Sequence, residues 1–279
     1  MLASMYTHLQ ARDSDRPPVT LSTLLQMKQR GENIACLTAY DASFAALVDA
    51  AGVDVVLVGD SLGMVIQGHD TTVPVTMDQM VYHCAAVARG LRRAFLMADL
   101  PFMSYSSAEL ALANSVRLMQ DGGARMLKLE SGQGQADIVA YLAKHDIAVC
   151  AHLGLKPQSV HKTGGFRVQG REEKAAKDML EDALSLEAAG ADIILLECVP
   201  AALGRTVAET VKVPVIGIGA GGDTDGQILV VYDVLDLTTG RKPKFARNFM
   251  AGSASPQAAL AAYVQAVKSG EYPAPEHCF

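Results

Sequence analysis

Eight short runs of almost unbroken apolar, largely β-branched residues recur along this chain of 279 residues, separated by longer stretches with helical period. They fall at 34–38, 55–58, 95–98, 126–129, 148–151, 193–196, 215–218 and 228–231. A strand with one wet face alternates apolar and polar side chains; these do not alternate, so both faces of each are buried. A parallel sheet covered by helices meets that demand, and the strand–helix rhythm predicts a single (βα)8 TIM barrel of the α/β class. A doubly wound open sheet is the structural rival. The last run is the weakest strand, because GQILVVYDVL reads equally well as a helix after Asp225.

Helix starts support the same rhythm. Thr76 and Ser107 stand at N-cap positions, and the pattern beginning at Glu172 stops at Gly190. A leading helix over 21–30 is suited to plug the barrel floor, and a trailing helix over 255–268 closes the chain. No linker divides the middle, so residues 20–279 read as one catalytic domain and residues 1–19 as a flexible arm ending in Pro17 and Pro18.

A formal charge of −6, from 24 basic and 30 acidic residues, provides no basic patch for a phosphate backbone and argues against nucleic acid. The substrate is expected to be small. The five cysteines are scattered and never arranged as C-x-x-C, which suggests neither disulfides nor zinc and fits a reducing cytoplasm. No signal peptide is evident, and no apolar run reaches the roughly 18 residues of a membrane span.

Nearly every apolar run ends in a polar residue of a catalytic type. Thr38 to Asp41 follow the first, Asp60 and Ser61 the second, Asp99 the third, Lys128 and Glu130 the fourth, His152 the fifth, Glu197 the sixth and Gly219 the seventh. In a parallel barrel these positions meet on the rim where barrel enzymes place their active sites. Alone, Asp60 or Asp99 reads best as a helix cap. Together, so many charges in a partly buried mouth need compensation, and a divalent cation supplies it.

Asp60, Asp99 and Glu130 offer hard oxygen ligands with no thiolates beside them, which favours Mg²⁺ or Mn²⁺ over zinc. A 2-oxo acid can chelate such a metal, which would acidify the neighbouring C–H. Glu197 is the candidate base; its alternative is a salt bridge to Lys128 or an arginine. Lys128 either neutralises the substrate carboxylate or the developing enolate, or partners the acidic cluster. His152 divides evenly between substrate contact and a structural role. His69 belongs to loop architecture, and the methionines and Cys198 to core packing. The glycine-rich stretches 58–64 and 217–227 lack the spacing of a P-loop or a dinucleotide fingerprint.

The strings LTAYDASFA, VGDSLGMVIQGHDTTVPVT, ADLPFMSY, LKLESG, HLGLKPQSV, GGFRVQGR, LECVP, GIGAGGDTDGQILV and PKFARNF resemble those of the ketopantoate hydroxymethyltransferase family along nearly the whole chain. The resemblance implies a (βα)8 barrel in pantothenate biosynthesis. It would use Mg²⁺ and 5,10-methylenetetrahydrofolate to hydroxymethylate 3-methyl-2-oxobutanoate, giving 2-dehydropantoate and tetrahydrofolate. Asp60 and Asp99 match the family's metal-binding aspartates, and Glu130 a third acidic residue of the metal site, reached through water. Asp60, Ser61, Asp99 and Lys128 match the substrate-binding set, His152 a histidine near the substrate, and Glu197 the proton acceptor. The resemblance also implies a cytoplasmic homo-oligomer, typically a decamer built from dimers.

Departures are small: Ala151 stands where glycine is expected, Arg167 replaces a frequent lysine, and TTGRKPKF differs from the commoner approach to PKF. Two other readings compete. One is a Mg²⁺-dependent 2-oxo acid lyase or phosphoenolpyruvate mutase, whose usual K-x-C-G-H loop this chain lacks. The other is a noncatalytic metabolite-binding barrel, against which Glu197 and Lys128 count.

Overall fold

The computed structural model describes residues 17–240 and 242–279; most of the predicted arm, residues 1–16, lies outside the described residues. The strands are β1 (Ile34–Thr38), β2 (Val55–Val58), β3 (Phe95–Asp99), β4 (Met126–Glu130), β5 (Val149–Gly154), β6 (Ile193–Glu197), β7 (Val215–Ile218) and β8 (Gly226–Leu229). They close into a barrel in sequence order. β1 pairs in parallel with both β2 and β8, which excludes the open sheet, since that would leave two unpaired edges. GQILVVYDVL divides between its two readings: Gly226–Leu229 is strand, and Val231–Val234 turns into a short helix whose first N–H donates to Thr38 Oγ1 (3.0 Å).

The absence of alternation has a direct cause. One apolar cluster, including Cys36, Leu57, Met97, Met126, Cys150 and Leu195, fills the barrel interior. A second, including Leu37, Val56, Ala98, Leu127, Ala151 and Leu196, takes the intervening residues and packs them under the helices. Ala151, one of the departures, thus faces a helix rather than the barrel mouth.

The leading helix, Leu21–Arg30, is capped by Thr20 at one end and by Gly31 at the other. Its Leu24 and Met27 join the interior cluster and plug the floor as expected, each such burial being worth roughly 2 kcal/mol. The trailing helix, Pro256–Ser269, covers the seam between the last strand and the first, where Tyr263 donates to the carbonyls of Cys36 (2.8 Å) and Gln227 (3.0 Å). Among the described residues no helix is long and apolar enough to cross a membrane.

At the amino ends of the strands a device recurs. Asp54, Asp192 and Asp225 each stand one residue before a strand, and each carboxylate accepts the first N–H of the preceding strand or the one after it, from Ala35, Val149 and Val215 respectively. Arg93 and Lys268 pair with Asp54, and Lys28 pairs with Asp225 at 2.7 Å.

Candidate active site

Period-two geometry carries the barrel's interior face onto its rim. In β3 the inward series is Phe95, Met97, Asp99; in β4 Met126, Lys128, Glu130; in β5 Cys150, His152; in β6 Ile193, Leu195, Glu197. The residues expected just after the strands at 99, 130 and 197 are therefore their last members, fixed by the ladder rather than held on loops. Asp60 and Ser61 lie on the turn after β2. All the predicted site residues, Asp60, Ser61, Asp99, Lys128, Glu130, His152 and Glu197, line one cavity of about 810 Å³.

Hydrogen bonds lock the floor of this cavity. Lys128 Nζ lies 2.7 Å from Asp99 Oδ1, and Asp99 Oδ2 accepts the Asp60 N–H at 3.0 Å. Ser61 shares a hydrogen bond with the buried Tyr40 hydroxyl (2.8 Å). Gln158, to which the sequence assigned no role, spans the acidic groups: its side chain donates to Asp60 Oδ2 (2.8 Å) and its backbone N–H to Glu130 Oε1 (2.8 Å). Tyr105 in turn donates to Gln158 Oε1 (2.6 Å), which fixes the amide's orientation. The available signal was Pro157, which opens a 3₁₀ turn immediately past β5 and brings the next residue over the rim.

Asp60 has its carboxyl pKa pushed well above the ordinary range, first by burial and then by the charge of Asp99. Burial raises Glu130 and Glu197 to about 7. For Lys128 burial acts downward, but Asp99 and Asp60 outweigh it, so the group stays an ammonium. His152 is pushed well below its usual value by burial and then by Lys128, and is neutral.

These charge states fix the imidazole. Lys128 Nζ sits 3.4 Å from His152 Nδ1 and can only donate, so Nδ1 carries the lone pair and Nε2 the hydrogen. Nε2 stands 3.3 Å from Glu197 Oε2 without the alignment of a hydrogen bond, and is otherwise buried without a partner. Asp99, Lys128, His152 and Glu197 thus form one row, with the carboxyl expected from the sequence to act as base at its end.

Glu197 is itself held by backbone. Gly154 has φ +91°, and a Cβ there would stand 2.2 Å from the Glu197 carbonyl oxygen, so only glycine lets β5 and β6 approach at this point. That carbonyl accepts the Leu155 N–H at 2.8 Å, and Cys198 takes the left-handed φ of 48° just beyond.

The residues fit a hard divalent cation. The donors are carboxylates, their mutual repulsion and burial are only partly balanced by Lys128, and Glu130 Oε2 is buried with no hydrogen-bond partner. Among the described residues no three His, Cys, Asp or Glu side chains form a ready-made cage, so open coordination positions would fall to water or substrate. His69 is exposed on its loop, while Thr72 of that loop lines the cavity.

Known proteins agree with the architecture and add a family. A phosphonopyruvate hydrolase solved with oxalate and Mg²⁺ superposes with a TM-score of 0.59 at 14% identity, over 76% of this chain and 80% of that one, which speaks for the fold alone. The 3-methyl-2-oxobutanoate hydroxymethyltransferase of Alkalilimnicola ehrlichii is 60% identical over 264 residues, 95% of either chain. That of Marinobacter nauticus is 59% identical over 94% of this chain and 98% of its own. The profile of the family described as Ketopantoate hydroxymethyltransferase matches residues 18–275. With that coverage and identity, the chain belongs to the ketopantoate hydroxymethyltransferase family.

Proposed function

We propose that this enzyme transfers a hydroxymethyl group from 5,10-methylenetetrahydrofolate to 3-methyl-2-oxobutanoate, giving 2-dehydropantoate and tetrahydrofolate for pantothenate synthesis. The observation that carries the chemistry is Glu197: a carboxyl raised to about 7 shares one cavity with Asp60, Asp99 and an ammonium. A base of that pKa takes protons near neutral pH and is still strong enough to remove one from an activated carbon acid.

Mg²⁺ would be held by Asp60 and Asp99, with Glu130 reached through water, and when bound would supply Lewis-acid polarisation of the 2-oxo group. Glu197 takes the proton from C3. Lys128 balances the substrate carboxylate or the negative charge that develops as that proton leaves. His152, whose Nε2 stands 3.3 Å from Glu197 Oε2, would steady that oxygen by turning its N–H onto it, leaving the other carboxylate oxygen for the proton. The carbanion forms a C–C bond to the one-carbon unit as that carbon's bond to N10 of the folate opens, N10 gaining in balance the proton taken from C3. Water then replaces N5 at the same carbon, its hydroxyl becoming that of the hydroxymethyl group and its proton going to N5 to release tetrahydrofolate. Ser61, fixed by Tyr40, is placed to contact the oxo acid.

The lyase and phosphomutase reading rests on the shared fold, and the noncatalytic reading has no observation in its favour. Residues 20–279 act as one catalytic unit in this account. Family resemblance supports a homo-oligomer, a decamer built from dimers, and the free cysteines agree with the cytoplasm.

The test is turnover: protein, Mg²⁺, 3-methyl-2-oxobutanoate and methylenetetrahydrofolate are combined and analysed by mass spectrometry. The reading requires 2-dehydropantoate. Cleavage of C–C or P–C bonds in related acids, without that product, would favour the lyase reading instead.

A further inference from the structure

The cavity is divided by chemistry. Its carboxylates Asp60, Asp99, Glu130 and Glu197 are gathered at the floor with Lys128, yet its volume of about 810 Å³ is that of a site for a much larger ligand than a small oxo acid, within the roughly 300–1,000 Å³ typical of such pockets. The outer wall is aromatic and aliphatic: of the chain's 7 phenylalanines, Phe166, Phe245 and Phe279 line it.

Two of these rings are braced on one point. Gly219, just past β7, has φ +62°, and a Cβ there would lie 2.8 Å from Phe245 and 3.1 Å from Phe279. Glycine at that left-handed turn lets both rings close on the backbone. The third ring, Phe166, is 53% exposed and stands on the loop after β5, which is tied to the site where the Gln169 N–H donates to the Cys198 carbonyl (2.8 Å).

Cations mark the outer edge. Lys242 is paired with Asp236, and Lys244 donates to the Cys278 carbonyl while standing 5.2 Å over the Phe279 ring. Arg167, exposed beside Phe166, has no ion pair among the described residues. In a chain of net charge −6, a cationic edge on an aromatic wall is complementary to an anion attached to a flat apolar body.

We propose that this outer compartment is the seat of the one-carbon carrier. The ring system of the folate would lie against Phe166, opposite the Phe245–Phe279 brace, and its glutamate tail would run out over Arg167. The inference rests on the proposed function and deepens it by assigning residues to the cosubstrate. It orders the cavity along its depth, with carbon acid and base on the floor, the one-carbon unit above them, and the anionic tail at the exit.

The experiment is calorimetric binding of tetrahydrofolate, as the monoglutamate and the triglutamate, under reducing conditions. Both target side chains are exposed, so substitution removes no core packing. Phe166→Ala should weaken both forms alike by about tenfold, the loss of one aromatic stack. Arg167→Glu should weaken the triglutamate several-fold more than the monoglutamate, because it reverses the charge facing the tail. Wild-type affinity in Phe166→Ala, or equal loss of both forms in Arg167→Glu, would overturn the assignment. C3 proton exchange of 3-methyl-2-oxobutanoate by the wild-type enzyme, without folate, separates the two failures. Exchange with folate bound elsewhere sinks the compartment alone; absence of both exchange and folate binding sinks the proposed function with it.

Discussion

At the amino end of the barrel Asp54 is 1% exposed, and its carboxylate is matched by the Ala35 N–H, Arg93 and Lys268. At the carboxyl end Asp60 is 5% exposed and faces Asp99 and Glu130, with Lys128 as the nearest ammonium. Both are buried aspartates next to strands. The first lies among donors and secures the strands, whereas the second belongs to a group of like charges in which burial and repulsion raise Asp60 and Glu130. Folding alone has no use for the second arrangement. Under the proposed function a cation and an anionic substrate would complete it, the trade of stability for function expected at an active site.

The sharpest way to break the contrast is at the base. Glu197→Gln should lower C3 proton exchange, followed by NMR in D₂O, roughly 10³-fold while oxo-acid binding persists. Near-normal exchange would remove Glu197 from its role.

The paired substitutions Asp54→Asn and Asp60→Asn compare the two ends directly. Asp54→Asn leaves two cations without their buried partner and should cost about 3 kcal/mol in denaturant unfolding, with activity per folded molecule retained. Asp60→Asn relieves like-charge repulsion and should leave metal-free stability equal or higher. If both destabilise alike, the two ends do not differ as described.

A smaller effect is expected at His152. His152→Asn cannot reach Glu197 and should slow exchange about tenfold, the worth of a hydrogen bond to a charged group, and move the acid limb upward. His152→Gln places an amide N–H near the former Nε2 and should recover most of the rate. Equal rates and unshifted limbs in the two variants would reduce His152 to packing.

The smallest is the pH dependence itself. A folded-state pKa of about 7 for Glu197, against 4.5 in the unfolded chain, means the base form is lost as pH falls below about 7, and exchange with it. For stability the sign is opposite: the raised carboxyl favours folding below pH 4.5, and that contribution disappears as pH rises through about 7. Glu197→Gln should therefore melt higher than wild type at pH 8. An acid limb near 4.5 would show a solvated carboxylate instead.

Much of this was legible in the sequence because burial on both faces forbids alternation, and eight such runs leave few folds open. The rim was legible for a related reason: Asp99, Lys128 and Glu197 sit two residues beyond the inward-pointing apolar Met97, Met126 and Leu195, and Glu130 two residues further along its strand. Gln158 was not, because its value lies in reaching across from the loop after β5 to Asp60, a contact separated by 98 residues. The strand-securing aspartates left a readable trace, one residue ahead of a strand, but locally Asp there reads as turn punctuation. The His152 tautomer depends on Lys128 lying beside it, which no single strand reveals.

The central claim is that the carboxyl-end rim is electrostatically incomplete until a cation binds between Asp60 and Asp99. Calorimetric titration of Mg²⁺ into wild-type protein and into Asp60→Asn/Asp99→Asn, with 3-methyl-2-oxobutanoate present, tests it directly. The account predicts stoichiometric binding to the wild type and none to the double variant. Tight Mg²⁺ binding by the double variant would contradict it.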